Sequence, residues 1–179
     1  MAEIAMVSHS TLDQTVLLVP AFRLTAAIEQ HRRRFDPTAV LGMPAHVTIM
    51  FPFLPDRSPT LEALLDLLAS VDSFEYSLTE VRQFEDGTVY LAPQPSSRFV
   101  QLTDLVSEQC GLLPYRGAYS AVVPHLTVAT TAPGEDRTWL ISTLQRELPL
   151  SGWATQAWVM VRDDRGIWKR SLSVAFGAE

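Results

Sequence analysis

The sequence predicts an α+β fold built from two similar halves fused into one unit. Strand-like and helix-like apolar patterns alternate along the whole chain. A register of 79 residues relates the halves: His46 falls on His125, Thr48 on Thr127, Leu61 on Leu140, Leu65 on Leu144, Phe74 on Trp153 and Gly87 on Gly166. These matches need no gap, the mark of an internal repeat. No long polar linker interrupts the chain, so residues 1–179 are expected to form a single domain with pseudo-repeat halves at approximately 13–86 and 87–179.

Each half reads strand–helix–strand–helix–strand, with one strand left over at the C-terminus. Thr15 to Val19 is a β-branched apolar run ended by Pro20. Phe22 to Phe35 carries Leu24, Ala27 and Ile28 at helical spacing and stops at Asp36-Pro37. The Arg32-Arg33-Arg34 triplet reads as the solvated side of that helix. After Gly42 and Pro44, His46 to Phe53 reads as a strand. Ser58-Pro59 then offers an N-cap with proline in the first turn, followed by Leu61, Leu64, Leu65 and Leu68. Phe74 to Phe84 and Thr88 to Leu91 form a hairpin across Asp86-Gly87.

In the second half Ser96-Ser97 is expected to cap a helix that ends at Gly111. A loop with Pro114 and Gly117 leads to the strand at His125. Pro133-Gly134 breaks that strand, and Trp139 to Leu148 is helical. Trp153 to Val161 and Ile167 to Phe176 are read as the last two strands. The four tryptophans, Trp139, Trp153, Trp158 and Trp168, are read as core or hairpin packing, and Phe51 and Phe53 as core.

Composition narrows the class. Forty-seven per cent of the residues are hydrophobic, yet no apolar run is long enough to cross a bilayer. The N-terminus shows no charged start followed by an apolar run, so no secretory signal is expected. Cys110 is the one cysteine, which rules out an internal disulfide and leaves no thiolate cluster for zinc. The expected location is the cytoplasm. A net charge of −6 argues against wrapping a nucleic-acid duplex but leaves room for a small anionic ligand or a strand end.

The chemistry lies in PAHVTIMFPF (44–53) and VVPHLTVAT (122–130). Side chains on a strand alternate faces, so His46 and Thr48 share one face, roughly 6–7 Å apart. Val47, Ile49, Phe51 and Phe53 point to the other. Leu126 and Val128 stand behind His125 and Thr127 in the same way. The bare pattern is weak, since His9-Ser10-Thr11 matches it, but the polar Ser10 breaks the apolar alternation. Two imidazoles facing one cleft suit proton transfer in both directions: one neutral ring takes a proton, the other, charged, gives one. Threonine hydroxyls can donate to phosphate oxygens. The set suits making or breaking a phosphodiester without a metal. Two imidazoles are also half a zinc site, but no further ligand repeats beside them.

HVTI and HLTV, with their flanks GMPAHVTIMFPF and VVPHLTVA, resemble the paired motifs of the 2H phosphoesterase superfamily, in particular its 2′-5′ RNA ligase-like branch. The resemblance spans nearly the whole chain. It implies two βαβαβ halves in a bilobal, antiparallel, barrel-like sheet with helices outside and a central cleft. It also implies action on 2′,3′-cyclic phosphates or 2′-5′ phosphodiester bonds of RNA ends or nucleotides, without a cofactor; separately, a monomer is expected. His46 and His125 match the catalytic histidines, and Thr48 and Thr127 the phosphate-contacting hydroxyls. The sequence leaves open which histidine is acid and which is base, since the repeat makes their strands nearly equivalent; the resemblance favours His125 as base and His46 as acid. The alternative is a non-catalytic RNA-end or nucleotide-binding module of the same fold; a third reading, a structural protein with incidental histidines, has no motif behind it. Tyr115 and Arg116, ahead of the second motif, are possible substrate contacts. Arg162, with Arg165, Lys169 and Arg170 around the last hairpin, reads as a basic rim or as an exposed turn.

Overall fold

The computed structural model describes residues 14–21, 25–54 and 59–177, with all their side chains except those of Thr25 and Ala27. His9, Leu24 and the Ser58 cap lie outside the described residues. In chain order the elements are β1 (Thr15–Pro20), α1 (Thr25–Phe35), α2 (Pro37–Val40), β2 (His46–Met50), α3 (Pro59–Ala69), β3 (Phe74–Gln83) and β4 (Val89–Gln94). Then come α4 (Ser96–Cys110), a 3-10 turn (Pro114–Gly117), β5 (Leu126–Ala129), α5 (Gly134–Glu147), β6 (Leu150–Ala154), β7 (Gln156–Arg162) and β8 (Trp168–Ala175).

The strands form two antiparallel four-stranded sheets, in the orders β2-β1-β7-β8 and β5-β4-β3-β6. The α+β class and the paired antiparallel sheets are those expected. The sheets do not follow the halves of the sequence, however. Strands cross between the halves: β3 of the first pairs with β4 of the second, and β7 of the second pairs with β1 of the first.

The repeat is visible in individual hydrogen bonds. In the β3–β4 turn, Phe84 N–H donates to Thr88 and Gly87 N–H to Phe84. In the β7–β8 turn, Asp163 N–H donates to Ile167 and Gly166 N–H to Asp163, the same bonds 79 residues on. Gly87 and Gly166 both take the left-handed backbone such turns need, at φ +92° and +83°.

One apolar core joins the helices to the inner faces of both sheets, from Leu17, Val47 and Ile49 through Phe99 and Val106 to Leu126, Val128 and Leu144. A second, smaller cluster covers the opposite face of the first sheet, with Val16, Leu18, Met43, Trp158 and Met160. That is why all six residues of β1 are buried. Helix α4 packs on β2 and α1 on β5, so each half braces the motif strand of the other. Thr103 Oγ1 donates to Ile49 O, and Thr130 and Thr131 N–H both donate to Phe35 O at the end of α1.

Several local expectations are corrected. Trp153 to Val161 is not one strand. β6 pairs with β3, and after Thr155 the chain crosses to the other sheet as β7. Apolar alternation runs through the crossing, so nothing in the sequence marks it. Asp36-Pro37 ends α1 but also starts α2: the Asp36 carboxylate accepts from Thr38 N–H at 3.0 Å, with Pro37 in the first turn. Ser96-Ser97 does not cap α4; Pro95 holds that position without a side-chain bond. Helix α5 starts five residues earlier than Trp139, at Gly134, with Glu135 and Asp136 in its first turn, where acidic residues suit a helix start. Trp139 and Trp153 are not core but 47% and 46% exposed. Trp153 shares the outward face of β6 with Ser151, while Gly152 and Ala154 turn inward. Arg32 is not solvated: it is buried at 1% exposure, because Asp36 and Glu29 on the same helix face provide carboxylates for it.

Gly42 joins the first motif to the last hairpin. Its φ is +92°, and an added Cβ would lie 2.7 Å from the Trp168 carbonyl oxygen. Its neighbour Leu41 accepts the Trp168 N–H at 2.7 Å. Gly42→Ala is expected to destabilise the fold by about 1–3 kcal/mol, measured as a fall in the urea midpoint with an unchanged m-value.

Candidate functional site

Both motif histidines enter from a backbone that fixes one ring nitrogen. Nδ1 of His46 lies 2.8 Å from Pro44 O, and Nδ1 of His125 lies 2.7 Å from Val123 O. A carbonyl only accepts, so in each ring Nδ1 carries the proton and donates it. Nε2 is left to act as acceptor, or as donor once the ring is charged. Pro44 and Val123 are themselves 79 residues apart, so the repeat extends to the orienting carbonyls. His46 stands at the first residue of β2, and His125 immediately before β5.

Thr48 follows on the same face, its Oγ1 3.2 Å from Nε2 of His46. The strand register agrees: Pro20 lies opposite His46 and Leu18 opposite Thr48. Thr127 lies opposite Tyr90 on β4. β2 and β5 contact each other, and the charge of His125 is among the influences that depress His46. The structure therefore brings both motifs into one region.

Of the three other candidates, Tyr115 joins this region. It shares a side-chain hydrogen bond with Thr48, packs against Phe51 at 6.4 Å between ring centroids, and its N–H donates to Phe51 O at 2.6 Å. The loop reaches this pose through two successive left-handed residues that are not glycine, Tyr115 at φ 50° and Arg116 at φ 57°. Such residues each cost about 1–2 kcal/mol. Arg162 turns to its own hairpin, where Nε donates to Gly166 O at 3.3 Å. Neither Arg116 nor Arg162 lines the cavity beside His125. Arg170 lies over the Trp158 ring at 4.5 Å.

The cavity has a volume of about 1010 Å³. Its wall includes His125, Thr127, Tyr115, Tyr119 and Phe84, with Glu85, Asp86 and Asp104 as acidic residues and, among the described residues, no lysine or arginine. His46 and Thr48 stand outside this wall. Phe84 stacks on Tyr90 at 4.2 Å, and both rings meet His125 edge-on, at 5.0 and 5.5 Å. Sequence reasoning missed Phe84, Tyr90 and Tyr119. The first two sit in a hairpin that signals only a turn, and Tyr119 lies in a loop without periodicity. Among the described residues, no three His, Cys, Asp or Glu side chains are grouped to hold a metal ion, and no helix is long and apolar enough to cross a membrane.

Burial pushes His46 down to about 4, with Arg32 and His125 adding to the effect while the Pro44 bond and Asp36 oppose it. Burial also lowers His125, against the Val123 bond and the Asp86 charge. Both rings are thus disposed to be neutral when the site is empty.

A model of the 2′-5′ RNA ligase superfamily matches residues 20–166 of the chain. No curated protein sequence matches it. Among solved structures, the fold is similar to that of Escherichia coli LigT in apo form, at 19% identity over 92% of this chain and 98% of that one, with a TM-score of 0.56. TT0787 of Thermus thermophilus is similar at 16% identity over 91% and 97% of the two chains, with a TM-score of 0.59. A structure described as a phosphoesterase is similar at 21% identity over 92% and 99%, with a TM-score of 0.54.

The unfolded chain protonates His46 near its ordinary value of 6.5, but the folded chain does so only near 4. Between these values the unfolded chain binds the extra proton, so the stability present above pH 6.5 is lost as pH falls toward 4. Urea melts across this window are expected to show that loss, and His46→Asn is expected to reduce it.

Proposed function

The chain belongs to the 2′-5′ RNA ligase superfamily, and from that premise we propose that it is a metal-independent phosphoesterase acting on 2′,3′-cyclic phosphate or 2′-5′ phosphodiester bonds of RNA ends or nucleotides. The observation that carries this reading is the matched pair of imidazoles, each with Nδ1 donated to the carbonyl two residues back. In hydrolysis, one Nε2 takes a proton from water as the water oxygen bonds to phosphorus. The bond from phosphorus to one ribose oxygen breaks. The second histidine, charged through its Nε2, gives its proton to that oxygen. The products are a monoester and a free hydroxyl, and exchange with solvent restores both rings. Thr48 and Thr127 donate to the non-bridging oxygens, and the phosphate's negative charge favours the protonated state of the acid.

The cavity beside His125 suits the nucleoside. Phe84, Tyr115 and Tyr119 offer ring faces for a base. Its carboxylates repel further phosphates, which agrees with a net charge of −6 and with a substrate that presents one reactive anion. Nucleotide binding has a parallel in the fold, since LigT structures are described as complexed with NADP+, 3′-AMP and ATP. A non-catalytic nucleotide-binding module would keep this cavity but not require two tautomer-fixed histidines.

With EDTA present, the wild type is expected to open a 2′,3′-cyclic nucleotide. His46→Ala and His125→Ala are each expected to lose roughly 10²- to 10⁴-fold in kcat, and the double variant little more, because the two act as a unit. Retention of most activity in either single variant excludes the mechanism. Tyr119→Ala removes a ring that is 69% exposed and is expected to raise KM with little change in stability. Since stacking is worth about 1–3 kcal/mol per base, the rise is roughly 5- to 100-fold.

A further inference from the structure

Helix α1 carries Glu29, Arg32 and Asp36 on or beside one face, at spacings of three and four. Arg32 reaches Asp36 Oδ2 through Nε at 3.2 Å and Nη2 at 2.8 Å. Its Nη1 donates to Glu29 Oε1 at 2.9 Å and to Met43 O at 3.1 Å. Glu29 Oε1 also accepts the Ala45 N–H at 2.6 Å. Residues 43 and 45 are thus gripped on either side of Pro44, whose carbonyl accepts the Nδ1 proton of His46. The second half has no equivalent grip in its sequence: the 79-residue register puts Gly111 where Arg32 stands. Val123, the counterpart of Pro44, is 44% exposed on a loop.

We propose that Glu29, Arg32 and Asp36 are positioning residues that act through Pro44 on His46 and make the two histidines unequal, holding the His46 ring in one tautomer and one pose while His125 has no such brace. The effect on catalysis rests on the proposed phosphoesterase reading. The grip keeps Nδ1 protonated and Nε2 unprotonated in one tautomer. Burial disfavours the charged form of His46 most, and Arg32 from the α1 side and His125 beside β5 add to that, while the Pro44 hydrogen bond and Asp36 favour the charged form. His125 has Asp86 nearby, which favours its charged form.

The test uses the full chain with Glu29→Gln and Arg32→Lys, which keep size and, for lysine, charge, but not the fork. Both histidines are titrated by ring-nitrogen NMR, and kcat and KM are measured against pH on a 2′,3′-cyclic nucleotide. In wild type, His46 is expected as the single Nδ1–H tautomer, titrating below His125. In the variants His46 is expected to become a mixture of tautomers with a displaced midpoint, while His125 stays put. Since small misplacements cost up to about 100-fold, kcat is expected to fall roughly 10- to 100-fold with KM within about twofold. Unmoved His46 titrations in folded Glu29→Gln overturn the clamp. Equal shifts of both histidines do the same, because they show a general structural effect. The titrations need no substrate, so an inactive wild type counts against the phosphoesterase reading while the clamp is still decided.

Discussion

A guanidinium buried to 1% exposure must have its donors met, and around Arg32 they are met by two carboxylates and a backbone carbonyl. Removing one partner of such a buried pair leaves a charge without compensation and typically costs about 3–5 kcal/mol. The rest of the cleft is assembled around the helix that carries this arginine. One end of α1 fixes the lead-in to β2. Its last carbonyl, Phe35 O, receives Thr130 and Thr131 N–H at the end of β5. A single helix therefore sets both motif strands, and the spacing between their histidines depends on its being rigid.

Against this common frame the two sides of the cleft differ in chemistry. On the first sheet, the face that bears His46 and Thr48 also bears Leu18, Trp158 and Met160, and is apolar and tightly filled. On the second, His125 faces an open cavity with aromatic rings and carboxylates. The repeat supplies like groups twice, and their surroundings make them unlike. Desolvation acts on both rings, but the neighbouring charges have opposite senses, with Arg32 beside one and Asp86 beside the other.

How much of this the sequence discloses depends on the range of the signal. Hairpin turns are local, so Asp86-Gly87 and Gly166 announced themselves. The motif strands were legible because the alternation around His46 and His125 is short and strict. The burial of Arg32 was not, because three consecutive arginines look like a solvated stripe, and only the fold shows that the first of them turns onto Asp36. The passage from β6 to β7 was equally hidden: a strand that changes partners keeps its alternation, and pairing is a long-range property. The cavity draws its wall from a hairpin, a helix and an aperiodic loop, which no single stretch could signal. Tyr115 was found because it lies next to a motif, whereas Arg162 was offered on charge alone and serves its own turn.

The exchange of strands between the halves has a consequence for how such a molecule can be divided. Cutting the chain at the Asp86–Gly87 turn separates β3 from β4 and β1 from β7 at once, so neither fragment retains a complete sheet. Each would expose strand edges that the other is shaped to cover.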